Sequence, residues 1–194
     1  SDTLKSIKFS DICVLLLDSS QNIDKQDLTI ARMIIGEGRG IIIGANKWDK
    51  VTDQNSIKNK IANQLEISLS QIKNIPLVFL SGLHNKGVEK LFDKILYVKK
   101  KLSSRITTGK LNRWVSTIIE NNPPPLYKGK QNNIRYITQV NVKPPTFALF
   151  MSSPDDLPNS YKRFLLGSIV KTFNLHGVPI RIMFRKGNNP YVKK

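Results

Sequence analysis

Three apolar runs, each broken by an abrupt polar turn, constrain this chain more than any other feature. They are "SDICVLLLDSS" (10–20), "GIIIGANK" (40–47) and "IPLVFLSG" (75–82). A strand with one wet face alternates apolar and polar residues; a strand apolar at successive positions is covered on both faces, as in a parallel sheet. Helical patterns fill the gaps between the runs. Residues 24–38 offer Asp24 as an N-cap, Asp27 three residues on, a face of Leu28, Ala31 and Ile35, and Gly36 and Gly38 as a stop. Residues 53–66 read as a polar helix, and 87–102 as a helix with Val88, Leu91, Ile95 and Val98 on its inner face. Strand and helix in strict alternation predict an α/β unit with right-handed crossovers.

The order changes after "KKKLSSRITT" (99–108), which places a domain boundary at residues 102/103. Residues 108–122 read as a helix with a stripe of Leu111, Val115, Ile118 and Ile119. A proline-rich and then basic loop (121–133) leads to strands at 134–142 and 146–153, a helix at 158–174 and a last strand at 178–187. The expectation is an incomplete parallel α/β domain over 1–102 and an α+β domain over 103–194.

Charge divides at the same place. The 194 residues carry a net +17, yet residues 1–102 hold 16 Lys/Arg against 11 Asp/Glu, and residues 103–194 hold 15 against 3. A general drift toward lysine would not remove acids from one half only, so the second half points to a polyanionic partner. No apolar stretch reaches the roughly 18–20 residues of a membrane helix, and no secretory signal is expected at the N-terminus. The single cysteine, Cys13, lies inside an apolar strand, cannot form an internal disulfide, and fits a reducing, cytoplasmic setting.

Ligands of open α/β sheets sit at the carboxyl ends of the strands. "GANKWDK" (44–50) occupies such an end and supplies what a guanine base requires. The Asp49 carboxylate can accept paired hydrogen bonds from N1–H and the exocyclic amine, which adenine does not offer. Asn46 can brace the loop and approach N7 and O6, and the Lys47 stem can lie along the base. Trp48 reads as packing. One strand later Ser81, Gly82 and Leu83 follow "IPLVF", where a small residue lets backbone N–H groups approach the guanine O6. The plainer reading makes Asp49 a cap on a solvated turn. Paired hydrogen bonding discriminates strongly, because the wrong ligand leaves buried polar groups unpaired.

With these residues the chain resembles translational GTPases, carrying the fourth and fifth guanine-nucleotide motifs of P-loop GTPases as Asn46–Asp49 and Ser81–Leu83. More narrowly, "LLLDSSQNIDKQDLTIARMI", "NKWDKV", "NNPPPLYKGKQNNIRYITQVNVKPPTFALFMSSPDDLPNSYKRFLLGSIV" and "GVPIRIMFRK" are similar to the C-terminal part of the ribosome-assembly GTPase family Der, or EngA. The resemblance implies the later part of a second GTPase domain, then a complete KH-like domain. It also implies GTP or GDP as ligand, Mg²⁺ in the intact protein, and large-subunit ribosome or rRNA as partner. The remaining GTPase regions of the same protein would be a further partner.

The hydrolytic half of such a site is not in these residues. The spacing G-x-x-x-x-G occurs once, at Gly82–Gly87, but Val88 and Glu89 stand where a phosphate loop needs Lys and Ser/Thr, and no D-x-x-G occurs. Phosphoryl transfer rests on positioning and charge neutralisation, so this chain alone is expected to contact guanine weakly and not to hydrolyse GTP. Disorder, swapping or dimerisation through residues 1–10 is an expected consequence of a strand at 12–17 with a free edge.

The second domain has no G-x-x-G loop for clamping a nucleic-acid backbone. Candidate RNA contacts are therefore Lys128, Lys130, Arg135, Lys143, Lys162, Arg163, Arg181, Arg185 and Lys186, with Tyr127 and Tyr136 for stacking. Taken singly, each is a solvated charge. The other class of reading is a non-enzymatic RNA-binding or interaction module with the α/β part as scaffold. His84 and His176 lie far apart in sequence, without a nearby cysteine or acid cluster, and suggest no metal site.

Overall fold

The computed structural model describes residues 2–69, 72, 74–126 and 129–187. The chain forms two compact units: residues 1–102 with 175–179, and residues 103–174 with 180–194.

The first unit runs α1 (Asp2–Phe9), β1 (Ile12–Asp18), α2 (Lys25–Gly36), β2 (Gly40–Asn46), α3 (Gln54–Ser68), β3 (Leu77–Phe79) and α4 (Val88–Leu102). The strands form a parallel sheet in the order β1-β2-β3, with Asp18 beside Asn46 and Ala45 beside Phe79. Ile41, Ile42 and Ile43 are all fully buried. Ile41, Ile43 and Ala45 face a cluster that includes Ala31, Ile34 and Ile35 of α2 and Ile61 and Leu65 of α3. On the opposite face, a Cβ on Gly40 would lie 2.7 Å from Val98 Cγ1, so α4 rests against the strand backbone there. Burial of each isoleucine contributes about 1.5–3 kcal/mol.

Local sequence sets the helix starts. Asp24 accepts the Asp27 N–H at 2.7 Å while Asp27 accepts the Asp24 N–H, a reciprocal cap on α2. Asp53 caps α3 by accepting the Ser56 N–H. Residues 2–9, where disorder was an expected outcome, form a helix that buries Ile7. β1 remains a sheet edge with Leu16 exposed. Cys13 is half-buried, and burial raises its thiol pKa.

The third strand is shorter than its apolar run. Pro76 has no N–H to donate, yet its carbonyl still accepts the Ile43 N–H at 2.9 Å, and the Leu80 N–H donates to the Ala45 carbonyl at 3.0 Å. Pairing therefore continues on both sides of the regular strand. Within this unit the Ile41 N–H donates to the Gly177 carbonyl at 3.1 Å. Gly177 has a positive φ, and a Cβ there would lie 2.4 Å from the Pro76 ring.

The second unit contains α5 (Thr108–Asn121), β4 (Ile134–Asn141), β5 (Thr146–Met151), α6 (Asn159–Phe173) and β6 (Arg181–Lys186). Strand β5 is central, antiparallel to β4 and parallel to β6. The α5 stripe includes Trp114, whose Nε1–H donates to the Ser168 hydroxyl on α6 at 3.0 Å. Asn112 on α5 closes the outer edge of β4. Its Oδ1 accepts the Ile137 N–H and its Nδ2 donates to the Ile137 carbonyl, both at 3.0 Å. The Gln139 side chain accepts the Ile106 N–H at 2.7 Å, tying down the start of the unit.

Candidate functional site

The carboxyl ends of the three parallel strands meet through the backbone. The Ser19 N–H donates to the Asn46 carbonyl at 2.9 Å, and the Trp48 N–H donates to the Leu80 carbonyl at 3.1 Å. Between these links Lys47 takes a left-handed conformation, φ 59°, which is uncommon for a residue with a side chain. The turn reverses the chain so that the side chains of Asn46, Lys47 and Asp49 all serve one loop cluster.

Each of the three is fixed differently. Asn46 Oδ1 accepts the Gly82 N–H at 2.9 Å, which joins the first loop to the second and fixes the amide orientation. Lys47 Nζ donates to Asp18 Oδ2 at 2.6 Å. Asp18 also accepts the Ser20 hydroxyl at 2.6 Å and the Ser20 N–H at 3.0 Å. Lys47 first, then these Ser20 bonds, hold the Asp18 pKa down to about 2. Asp49 is exposed and accepts a hydrogen bond from the Ser81 hydroxyl, the largest cause of its lowered pKa. His84 Nε2 lies 4.0 Å from its Oδ2. Asp49 is thus a carboxylate at neutral pH, with acceptor capacity left beyond the Ser81 bond.

Ser81 is buried and its Oγ also accepts the His84 N–H at 3.3 Å. Reciprocal backbone bonds between Ser81 and Lys86, at 2.9 and 3.1 Å, close the loop. Gly87 then turns the chain into α4 with φ 79°, and a Cβ there would lie 2.4 Å from the Phe79 carbonyl oxygen. A Cβ on Gly82 would meet Asn46 only at ordinary contact distance, 3.6 Å. Leu83 stands at the exposed loop tip. Because Gly82 already donates to Asn46, its amide is committed; the Leu83 N–H has no partner among the described residues. Trp48 packs on Phe79, with ring centroids 4.2 Å apart.

Sequence reading did not single out Asp18 and His84 as members of this cluster. The signal for Asp18 lies in pairing: it sits level with Asn46 across the parallel ladder. His84 enters only through closure of the second loop. Among the described residues no group of three His, Cys, Asp or Glu is placed to hold a metal ion, and no helix is long and apolar enough to cross a membrane.

The described basic candidates of the second unit are distributed over β4, α6, β6 and the loops. Arg135 and Arg185 share a sheet face. Lys162 lies 5.5 Å from the ring of Phe184, and Arg163 is exposed on the same helix. Lys130, Lys143, Arg181 and Lys186 are exposed at strand ends or loops. Tyr127 and Lys128 lie outside the described residues.

A parallel α/β unit with polar loops at its strand ends, followed by a small mixed-sheet unit, defines a class. Residues 1–101 match the elongation factor Tu GTP-binding domain family, and residues 105–185 match the KH-domain-like family of EngA bacterial GTPase enzymes, C-terminal. The architecture is that of a P-loop GTPase-type sheet joined to a KH-like domain.

GTPase Der of Parvibaculum lavamentivorans is 41% identical over 194 residues, covering all of this chain and 41% of its own length. GTPase Der of Hyphomonas neptunium is 40% identical over all of this chain and 38% of its own length, and that of Rickettsia typhi 40% identical over 99% and 44%. The chain belongs to the GTPase Der family and spans less than half the length of these relatives. A solved structure of Era with MgGDPNP and nucleotides 1506–1542 of 16S ribosomal RNA aligns over 94% of this chain and 68% of its own, at 13% identity and a TM-score of 0.43. That likeness is too distant to add to the assignment.

Proposed function

We propose that the first unit supplies the guanine-recognising part of a GTP-binding site, and that the second contacts ribosomal RNA of the large subunit. Asp49 would accept the N1–H and exocyclic amine of guanine, and the Leu83 N–H would face O6. The side-chain amide of Asn46, turned by its bond to Gly82, and the stem of Lys47 would line the base. The observation that carries this reading is the 2.9 Å hydrogen bond from the Gly82 N–H to Asn46 Oδ1, which joins two loops distant in sequence beside the Asp49 carboxylate. Donor chemistry fits guanine and not adenine, since adenine offers no adjacent pair of N–H groups to a carboxylate.

Phosphate and Mg²⁺ are a separate matter. The 194 residues contain no phosphate loop and no D-x-x-G, so those parts would come from other GTPase regions of the same protein. GTP hydrolysis in ribosome assembly belongs to that whole, and cytoplasmic location follows from the same role. The chain by itself is expected to show no Mg²⁺-dependent turnover.

A titration of fluorescent GDP and ATP against the parent chain and Asp49→Ala tests the reading. Weak binding selective for GDP, reduced roughly tenfold or more in the variant, is the expected result. Equal binding of both nucleotides, or none by either protein, would leave the α/β unit as a scaffold for an RNA-binding module. RNA contact is supported by the charge of the second half and should fall steeply with salt.

A further inference from the structure

One face of the second sheet carries an aromatic and arginine cluster separate from the strand-end loops of the first unit. Tyr136, Phe150 and Arg185 lie side by side across β4, β5 and β6. The two rings stack at 4.4 Å with planes 13° apart. A register shift between Ile134 and Tyr136 brings Arg135 to the same face, where its Cδ lies 3.7 Å from the position a Cβ would take on Gly187.

Among the described residues the contacts of this unit's helices α5 and α6 lie at the β4 edge and over the other face, while Thr146 and Ala148 beside the cluster are buried. Asn112 of α5 reaches the β4 edge, and Lys162 of α6 lies over Phe184, whose neighbours Phe147, Leu149 and Ile137 are fully buried on the opposite side. Tyr136 and Phe150 are half-buried, whereas both arginines are exposed. Among the described residues neither guanidinium pairs with a carboxylate; Arg185 reaches only Met183 Sδ at 3.9 Å. The Tyr136 hydroxyl is also without a partner among the described residues, and its ring has no aromatic neighbour beyond Phe150.

We propose that this cluster is a stacking site for single-stranded RNA: a base lies on the outer flank of the Tyr136–Phe150 pair while Arg135 and Arg185 hold adjacent phosphates. The proposal rests on the reading that the second unit contacts RNA, and locates that contact. β4 is an edge strand, so the outer flank of Tyr136 faces past the end of the sheet. A stack of two rings is rigid and offers a π-face to any base, while unneutralised guanidinium groups on the same face match a phosphate backbone. An acidic peptide would satisfy the arginines but leave the ring flank unused. Sequence selectivity is not expected, because every base can stack.

The test uses the full chain, a fluorescein-labelled short oligouridylate, and a ribose-phosphate oligomer of equal length without bases, both read by anisotropy. The parent should prefer the base-bearing oligomer by about tenfold. Tyr136→Ala should abolish that preference and Tyr136→Phe retain it, with circular dichroism confirming that each variant folds. Arg135→Gln with Arg185→Gln should weaken both oligomers alike and lower the salt slope by about 1.4. Equal binding of the two oligomers by the parent, or a preference surviving Tyr136→Ala, overturns the stacking site. If the arginine pair changes nothing while Lys130→Glu or Arg163→Glu weakens binding, RNA contact stands but this site falls. If the parent binds neither oligomer at low salt, both fall together.

Discussion

Replacing Gly87 by alanine probes how the second loop is held. At φ 79° an alanine costs about 1–2 kcal/mol of backbone strain. Its Cβ would also lie 2.4 Å from the Phe79 carbonyl oxygen and 3.2 Å from Leu80 Cα, atoms of the strand backbone that cannot rotate away. Relieving that overlap costs about 1–3 kcal/mol more, so a total near 3 kcal/mol is expected. Gly82→Ala is the control. Its Cβ would meet Asn46 at 3.6 Å, and stability should change by less than about 0.5 kcal/mol. Urea unfolding followed by fluorescence reports the difference if Trp114→Phe leaves Trp48, packed against Phe79, as the single tryptophan. With a urea slope of about 1.5–2 kcal/mol/M, Gly87→Ala should move the midpoint by about 1.5–2 M. A midpoint unchanged in Gly87→Ala, or one lowered equally in both variants, would refute the argument that backbone, not side-chain volume, fixes this loop.

The Asp18–Lys47 pair makes a pH prediction. Because the folded pKa of Asp18 is depressed to about 2, its contribution is complete above the unfolded value of 3.8 and disappears as pH falls through about 2. Both side chains reach solvent, so the effect is below about 1 kcal/mol; acid titration of stability should flatten in Asp18→Asn, and an unchanged profile would rule the linkage out. Asn112→Ala removes both bonds to Ile137, leaving an N–H and a carbonyl at the β4 edge unpaired, and should cost about 2–4 kcal/mol by chemical denaturation. A loss within experimental error would mean that water replaces the amide.

The parts of the molecule legible in sequence are those governed by short-range chemistry. Ile41–Ile43 announce a strand buried on both faces because no polar residue interrupts them, and Asp24 and Asp27 announce a helix start because the reciprocal cap needs only four residues. Asn46 to Asp49 could be read for the same reason: one turn contains them. Long-range effects were not legible. Val178 and Ile180 continue the apolar run of the last strand, yet β6 begins at Arg181, and Leu175–Pro179 belong with the first unit, where Gly177 accepts the Ile41 N–H. Trp114 escaped the helical stripe because a tryptophan reads as amphipathic until Ser168 is found to take its N–H. Asp18 and His84 join the site only through strand register and loop closure, neither of which leaves a local trace.

The close seating of α4 on β2 couples two things that sequence keeps apart. Val98 Cγ1 occupies the space a side chain on Gly40 would need, so the helix axis and the strand can approach only while that position stays bare. The same strand delivers Asn46 six residues later, and the same helix begins where the Ser81 loop ends. Drift in the packing at the bottom of the sheet would therefore change the aim of groups at its top. Substitutions near Gly40, at the opposite end of β2 from Asn46, would act on the base selectivity proposed for the strand-end loops.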